Sequence, residues 1–534
     1  MIVVVGAGTM GAGIAFVAAR AGLRVELVEP DASVRERALA RLRKDAERAS
    51  APAALERISF RASIAQISGG TLAIEAVPER IELKHRVFAE LAERLGPDAI
   101  LATNTSSLSV GEIAGVVDCP GRVIGLHFFN PPQAMKLVEI VHLPQTDTQV
   151  LERAQRFVEA CDKVGVLVND SPGFVVNRVA RPFYLQSLRA LVEQVAPADA
   201  LDMLARGVGF RMGPFELMDL IGLDINLATT ESVYERTQAA RFAPIGLQRE
   251  MVAGGRLGRK SQVGFYEYAD GGLPAHPEAQ ALPADAELNE DEVITIVGFD
   301  GIAGELSEML PQHYARVGTI ENDDLLDELS METTIVYDVG DGVSDRSEMI
   351  RRLDTLLPAE TVFFADAYAT DFEAVAKRMR HPERLVGYGI LSSLAGQSVV
   401  EIVDAECTGD DALSLSQEFF ESIGKRVVLV ENRPGLFLGR VVGSIINEAI
   451  VAVQEAIASA DDIDLAMRLG TNYPIGPIAW GREIGGARVS RILNRLAQSE
   501  GMQFAPHRAL WVLDARDEEA PEPGLEESPI VADN

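Results

Sequence analysis

The run VIGLHFFNPPQAMKLVEIV, Val123 to Val141, is almost wholly apolar yet contains a histidine and a glutamate. Asn130, Pro131 and Pro132 force a turn between its two strand-like halves, so the halves can fold back and bring His127 near Glu139. A carboxylate that holds one imidazole nitrogen fixes the tautomer and stabilises the imidazolium. The other nitrogen is then left to take a proton from an alcohol. The same two residues could also be a satisfied polar contact inside a core, and the pair alone does not choose between the readings.

What must position such a pair is an α/β sheet, and the chain opens like one. Ile2 to Val5 is a β-branched run, Gly6, Gly8 and Gly11 follow at G-x-G-x-x-G spacing with Thr9 and Met10 among them, and an Ala-rich helical segment leads to a second strand at Val25 to Val28. Glycines at that spacing allow a tight turn and bring backbone N–H groups and a helix N-terminus up to a pyrophosphate. Glu29 ends the second strand, where a carboxylate can accept from a ribose 2′-OH. Pro30 and Asp31 follow it rather than arginine, which favours NAD over NADP. Beside a nicotinamide, the implied reaction of a His–carboxylate pair is oxidation of a secondary alcohol to a ketone.

Downstream, ILATNTSSLSV reads as a strand ending in small polar residues, a place for ligand contacts in a doubly wound sheet. The helical segment Ser33 to Ser50 carries six basic residues against three acidic ones. That excess suits either an anionic ligand or a solvated helix stitched by i,i+4 pairs.

Composition excludes several classes. The chain has 534 residues, 47% hydrophobic, too many for one core, so several domains are expected. Forty-nine basic against 80 acidic residues give a formal charge of −31, which repels nucleic acid and anionic membrane surfaces. Three scattered cysteines form no C-x-x-C pair, so neither a disulfide framework nor a metal site is expected, and a reducing cytoplasm is the default compartment. The apolar N-terminus lacks a basic n-region and is broken by glycines, and so reads as mature protein.

Seven segments resemble the L-3-hydroxyacyl-CoA dehydrogenase family and occur in family order. They are VVVGAGTMGAGIA, AIEAVPE, NTSSL, GLHFFNPPQAMKLVEIV, DSPGFVVNRV, GPFELMDLIGLD and GRKSQVGFYEY, spread over roughly the first 270 residues. The resemblance implies a Rossmann NAD-binding domain followed by an all-α dehydrogenase domain that serves substrate binding and dimerisation. It implies His127 as general base on the 3-hydroxyl, Glu139 as its orienting partner, and Ser106 and Asn177 as contacts to the substrate oxygen, with Asn130 beside them. Gly6, Gly8, Thr9, Met10, Gly11, Glu29, Glu79, Asn104 and Ser106 are then the expected NAD contacts, and Lys84 matches a lysine near the cofactor or CoA. CoA is expected near the basic helix, with Arg41 and Lys44, and also Arg43 and Arg48, as its candidates. Glu29 departs from the aspartate more usual in the family.

The whole unit then repeats. Glu401 stands 262 residues after Glu139, Gly389 262 after His127, and Gly439 262 after Asn177, while at the front Gly298 stands 292 after Gly6 and Glu321 292 after Glu29. The second copy has lost 30 residues around the basic helix, carries Asp300 in its glycine loop, and has Tyr368 where Ser106 stands. It is read as degenerate, with Glu401 keeping a structural role. The expected layout is an NAD-binding Rossmann domain over 1–170, a helical domain over 171–269, a linker over 270–292, a degenerate Rossmann-like domain over 293–430, a second helical domain over 431–513 and an acidic disordered tail over 514–534. The two copies are expected to pack as an intramolecular pseudo-dimer, with further homo-oligomers possible.

Function follows as NAD-dependent oxidation of an L-3-hydroxyacyl-CoA to its 3-ketoacyl-CoA, a β-oxidation-like step of fatty acid or aromatic acid (phenylacetate) catabolism. The duplicated layout resembles bacterial enzymes of the 3-hydroxybutyryl-CoA or 3-hydroxyadipyl-CoA type. Two alternatives stay open: a dehydrogenase of a free hydroxy acid, and a non-catalytic NAD-binding scaffold.

Overall fold

In the computed structural model, residues 1–268, 289–298, 301–320, 329–330, 332–338, 346–368 and 370–514 are described. Asp300, Glu321, most of the stretch read as linker and the tail beyond Asp514 lie outside them. The strand starting at Asn289 shows that residues 289–292 belong to the second sheet rather than to a linker. Asp514 likewise is anchored, its carboxylate accepting from Gly486 N at 2.6 Å.

The β-branched runs form an eight-stranded sheet from β1 (Ile2–Val5), β2 (Val25–Val28), β3 (Ile58–Arg61), β4 (Leu72–Glu75), β5 (Ile100–Thr103), β6 (Val123–Phe128), β7 (Leu137–His142) and β8 (Val164–Asn169). Its order is β3-β2-β1-β4-β5-β6-β7-β8. The strand order reverses beside β1, so the crevice beyond its carboxyl end, where the glycine loop lies, is the topological switch point. All neighbours are parallel except β6 and β7, which the Asn130–Pro132 turn folds into an antiparallel pair with His127 directly opposite Glu139. β1, β2, β4, β5 and β6 are buried at every residue, as strands covered on both faces must be.

The second sheet has seven strands in the same winding, β9 (Asn289–Val297), β10 (Tyr314–Ile320), β11 (Ile335–Asp338), β12 (Val362–Asp366), β13 (Leu385–Gly389), β14 (Val399–Asp404) and β15 (Arg426–Glu431), ordered β10-β9-β11-β12-β13-β14-β15. Among the described residues it has no equivalent of β3, and no helix follows β10 in the place of Ala32–Arg48. The antiparallel pair is retained, with Gly389 opposite Glu401. Each sheet is followed by a helical unit, so the protein is an α/β domain plus an all-α domain, twice.

The two helical units share one apolar core, built on helices Arg181–Val192 and Leu438–Gln454. Their contacts repeat reciprocally. Asn169 N donates to Ile457 O at 2.8 Å, and its equivalent Glu431 N donates to Val195 O at 2.9 Å. Gly207 of the first helical unit lies against Val399 of β14, and Gly470 of the second lies against Leu137 of β7, each too close for a Cβ. Each sheet is thus backed by the other unit's helices. Arg178 crosses the junction to Glu448 at 2.6 Å and Glu455 at 2.7 Å, and Arg440 crosses in the opposite sense to Glu193 at 2.6 Å.

Candidate active site

His127 and Glu139 meet because adjacent antiparallel strands put opposite residues on one face. His127 Nδ1 lies 2.6 Å from Glu139 Oε2. The other oxygen, Oε1, accepts from Val175 N at 3.0 Å and Val176 N at 2.9 Å, at the start of the short helix Val176–Val179. One buried carboxylate therefore ties the imidazole to the helical turn that carries Asn177. Phe129 and Phe174 pack beside the imidazole, with ring centroids 4.5 and 5.7 Å away. No hydrogen bond engages His127 Nε2, the Ser106 hydroxyl or the Asn177 side-chain amide among the described residues.

The second unit shows that these three unspent groups border one space. There the equivalents are Gly389, Tyr368 and Gly439, and a Cβ on either glycine would lie within 2.9 Å of the Tyr368 ring. One tyrosine ring fills the volume that the side chains of His127 and Asn177 occupy in the first unit. Its hydroxyl donates to Glu401 Oε2, while Oε1 of Glu401 accepts from Phe437 N at 2.7 Å and Leu438 N at 3.4 Å. Burial raises Glu401 to about 7 and pushes the Tyr368 phenol well above its ordinary value.

Around the first site, polar residues spend their bonds on position. Asn104 Oδ1 accepts from Phe128 N at 2.9 Å, fixing the residue after His127. Lys84 is buried, and its ammonium is held by Glu75 at 2.7 Å and Glu79 at 3.0 Å. Glu79 Oε1 accepts in turn from the Thr105 hydroxyl at 2.8 Å and Ser106 N at 2.9 Å. Lys84 is thus linked to Ser106 through Glu79. Asn130 is exposed in the turn.

The glycine loop is shaped for an anionic ligand. Gly6 has φ +98°, and a Cβ there would lie 2.7 Å from Ala76 O; one on Gly11 would collide with Gly6 O. Gly8 differs: a Cβ on it meets nothing within 4 Å. Gly8 caps helix Thr9–Arg20 without a side-chain bond, so no side chain of the cap engages the N–H groups of the helix's first turn, Thr9, Met10 and Gly11, at its positive end. Glu29 reaches back to this loop, accepting from Ala7 N at 3.1 Å.

The basic helix, Ala32–Arg48, is capped by Asp31, which accepts from Ser33 N at 2.7 Å. The Ser33 hydroxyl, at 2.7 Å, and the Val34 and Ser33 N–H groups hold the Asp31 carboxyl below its ordinary range. Arg41, Lys44 and Arg48 line a cleft of about 530 Å³ together with Arg20, Thr9 and the turn residues Pro131 and Gln133. Gln133 donates to Asp45 at 2.6 Å, linking the turn after His127 to this helix. Arg43 is not among the lining residues. Sequence reasoning missed Arg20, which closes the glycine-loop helix and reads alone as a cation ending a helix.

Compared with known proteins, residues 1–171 and again 306–433 match the 3-hydroxyacyl-CoA dehydrogenase NAD binding domain, and residues 173–268 and 435–519 match the C-terminal domain of the same family. The chain belongs to the 3-hydroxyacyl-CoA dehydrogenase family. It is 37% identical over 511 residues to 3-hydroxyadipyl-CoA dehydrogenase of Escherichia coli (strain K12), covering 94% of each chain. A probable 3-hydroxybutyryl-CoA dehydrogenase of Bacillus subtilis (strain 168) is 38% identical over 279 residues, which are 50% of this chain and 97% of that one. The crystal structure of 3-hydroxybutyryl-CoA dehydrogenase from Escherichia coli K12 superposes with a TM-score of 0.75 at 35% identity, covering 96% of this chain and 97% of that one. The chain is thus an oxidoreductase of this family, with the family's NAD-binding domain. The domain pair occurs twice in it, in agreement with the two sheets.

Proposed function

We propose that the first unit oxidises the 3-hydroxyl of an L-3-hydroxyacyl-CoA to a ketone, with His127 as general base and Glu139 as its orienting partner. The observation that carries this reading is the imidazole held through Nδ1 at 2.6 Å, with Nε2 left unbonded toward the space it shares with Ser106 and Asn177. His127 Nε2 takes the hydroxyl proton, and Glu139 stabilises the imidazolium. Ser106 and Asn177 hold the substrate oxygen. NAD, when bound, supplies the acceptor for the hydride leaving C3. Thr9, Met10 and Gly11 offer N–H groups to its pyrophosphate, Gly8 leaves room for it, and Glu29 receives a ribose hydroxyl. Asn104 and Glu79, with Lys84 behind it, keep the nicotinamide side of the site in place.

Arg20, Arg41, Lys44 and Arg48 form the CoA phosphate cleft. Four cations gathered in a chain of charge −31 favour a CoA thioester over a free hydroxy acid, and the unspent polar groups favour catalysis over a scaffold. The second unit serves as a pseudo-dimer partner, since the two helical units of one chain reproduce the reciprocal contacts of an isologous twofold interface. The setting is a β-oxidation-like step of fatty acid or aromatic acid breakdown in the cytoplasm; among the described residues no helix is long and apolar enough to cross a membrane. In an NADH-linked assay with 3-hydroxyacyl-CoA thioesters, His127→Ala should lower kcat by about 10²- to 10⁴-fold. An undiminished rate removes His127 as the base.

A further inference from the structure

Among the described residues, Arg181 is a buried cation without an acid. It stands four positions after Asn177, at the start of helix Arg181–Val192, is 4% exposed, and spends its bonds on neutral groups: Asn177 O at 2.7 Å, Thr230 Oγ1 at 3.1 Å and Asn226 O at 3.4 Å. The Tyr184 ring lies under its guanidinium at 4.8 Å. Its Nη2 makes no hydrogen bond among the described residues. Comparably buried Arg178, Arg384, Arg440 and Arg488 each meet a carboxylate at 2.6 Å. Arg122 also lacks one, but it closes three carbonyls, of Gly96, Ala99 and Ala92. Burial lowers the proton affinity of Arg181, and only Tyr184 and Tyr473 oppose it.

Tyr473 supplies the second observation. It comes from the other helical unit, is 5% exposed, and its hydroxyl is buried without a hydrogen-bond partner among the described residues. Arg181 and Tyr473 are close enough to interact electrostatically; a guanidinium without an acid and a hydroxyl without a partner are two donors that one acceptor can serve, and the acceptor that also neutralises the cation is a carboxylate. At the position equivalent to Arg181 the second unit has Gly443, again 262 residues on. The cation is therefore absent from the unit that lacks the histidine.

We propose that Arg181 and Tyr473 receive a carboxylate at the far end of the acyl chain, so that the substrate class is a 3-hydroxyacyl-CoA whose acyl group is dicarboxylic. This rests on the reading that the 3-hydroxyl lies by His127 and Asn177. Arg181 opens helix Arg181–Val192, four positions after Asn177 on the short helix Val176–Val179, and its Nε donates to Asn177 O at 2.7 Å, so the guanidinium lies beside the turn that carries Asn177, within reach of a short acyl tail. The degenerate unit then contributes a specificity residue to the working site.

The test compares kcat/KM for 3-hydroxyadipyl-CoA with that for 3-hydroxyhexanoyl-CoA, which has the same carbon count and no distal carboxylate. The full-length enzyme should favour the first by about a hundredfold or more, since a buried polar receptor left unpaired rejects the apolar analogue. Arg181→Met should cut that ratio by about a hundredfold and Tyr473→Phe by about tenfold. Tyr473→Phe removes a single oxygen, so it decides the matter even if Arg181→Met does not fold. A native ratio near one, or variants that slow both thioesters equally, overturns the proposal while leaving the dehydrogenase reading intact. NADH from neither thioester removes the dehydrogenase reading, and the carboxylate receptor with it.

Discussion

Glu139 carries two loads that substitution can separate. Oε2 orients His127 and Oε1 caps the Val176–Val179 turn through two N–H groups. Glu139→Gln keeps a carbonyl oxygen for the cap but removes the charge facing the imidazole. Its kcat should fall by about 10²- to 10⁴-fold, the contribution of a positioned general base. Its stability should fall by only about 1–2 kcal/mol, the difference between charged and neutral hydrogen bonds. Glu139→Ala also strands two buried N–H donors, each costing about 1–3 kcal/mol, for a total of about 2–6 kcal/mol. Glu401 is the internal control, because it caps Phe437 and Leu438 in the same way with no histidine to orient. Glu401→Ala should therefore lose stability on the Glu139→Ala scale with kcat preserved. NADH formation measures the first quantity, and urea midpoints followed by circular dichroism measure the second. A Glu139→Gln enzyme with native kcat, or a Glu139→Ala enzyme as stable as the parent, refutes the division of labour.

Three further outcomes are expected. Gly8→Ala should fold normally, because its Cβ has open space, yet weaken NAD binding in titration calorimetry, whereas Gly11→Ala should impair folding by forcing a Cβ onto Gly6 O. Arg41→Ala and Lys44→Ala should raise KM for a CoA thioester by about tenfold each, less so at high salt, with a smaller effect on a pantetheine thioester that lacks the nucleotide phosphates. Stability should decline as pH rises from about 4.5 to 7: burial raises Glu401 to about 7 from an ordinary 4.5, so in that window the folded state holds a proton that the unfolded state releases. The decline is on the order of 3 kcal/mol for a fully developed shift. Urea midpoints measured from pH 5 to pH 8 should show it, and Glu401→Gln, which cannot ionise, should reduce the slope, the remainder coming from Asp202, which burial also raises to about 7.

Much of this architecture is legible in the sequence, because its strands are short β-branched runs and its turns are marked by glycine and proline. The His127–Glu139 pair follows from a turn between two apolar halves, and the duplication from two sustained offsets, 292 at the front and 262 beyond it. What escapes a linear reading is set by contacts between distant elements. Nothing near Lys84 in the chain announces that Glu75 and Glu79 will take up its ammonium. Nothing near Arg20 announces that it joins Arg41 across a cleft. Nor does the β7 sequence show that Gly470, 333 positions beyond Leu137, will back it.

The degenerate site makes the limit sharpest. Read position by position, Gly389 is a lost base, Gly439 a lost substrate contact and Tyr368 an unrelated bulky residue. In three dimensions they are one change, because the Tyr368 ring needs both glycines: a Cβ at either would meet it within 2.9 Å. The tyrosine hydroxyl then takes the carboxylate oxygen that in the first unit faces the imidazole. Glu401 thus stays fully bonded, and the buried acceptor is never left without a donor, which is the costly state. The second unit could lose its histidine without losing its fold because a single aromatic side chain replaced both the volume and the hydrogen bond. A histidine at 389 has no room while that ring remains, so catalysis in the second unit is closed by packing as well as by chemistry.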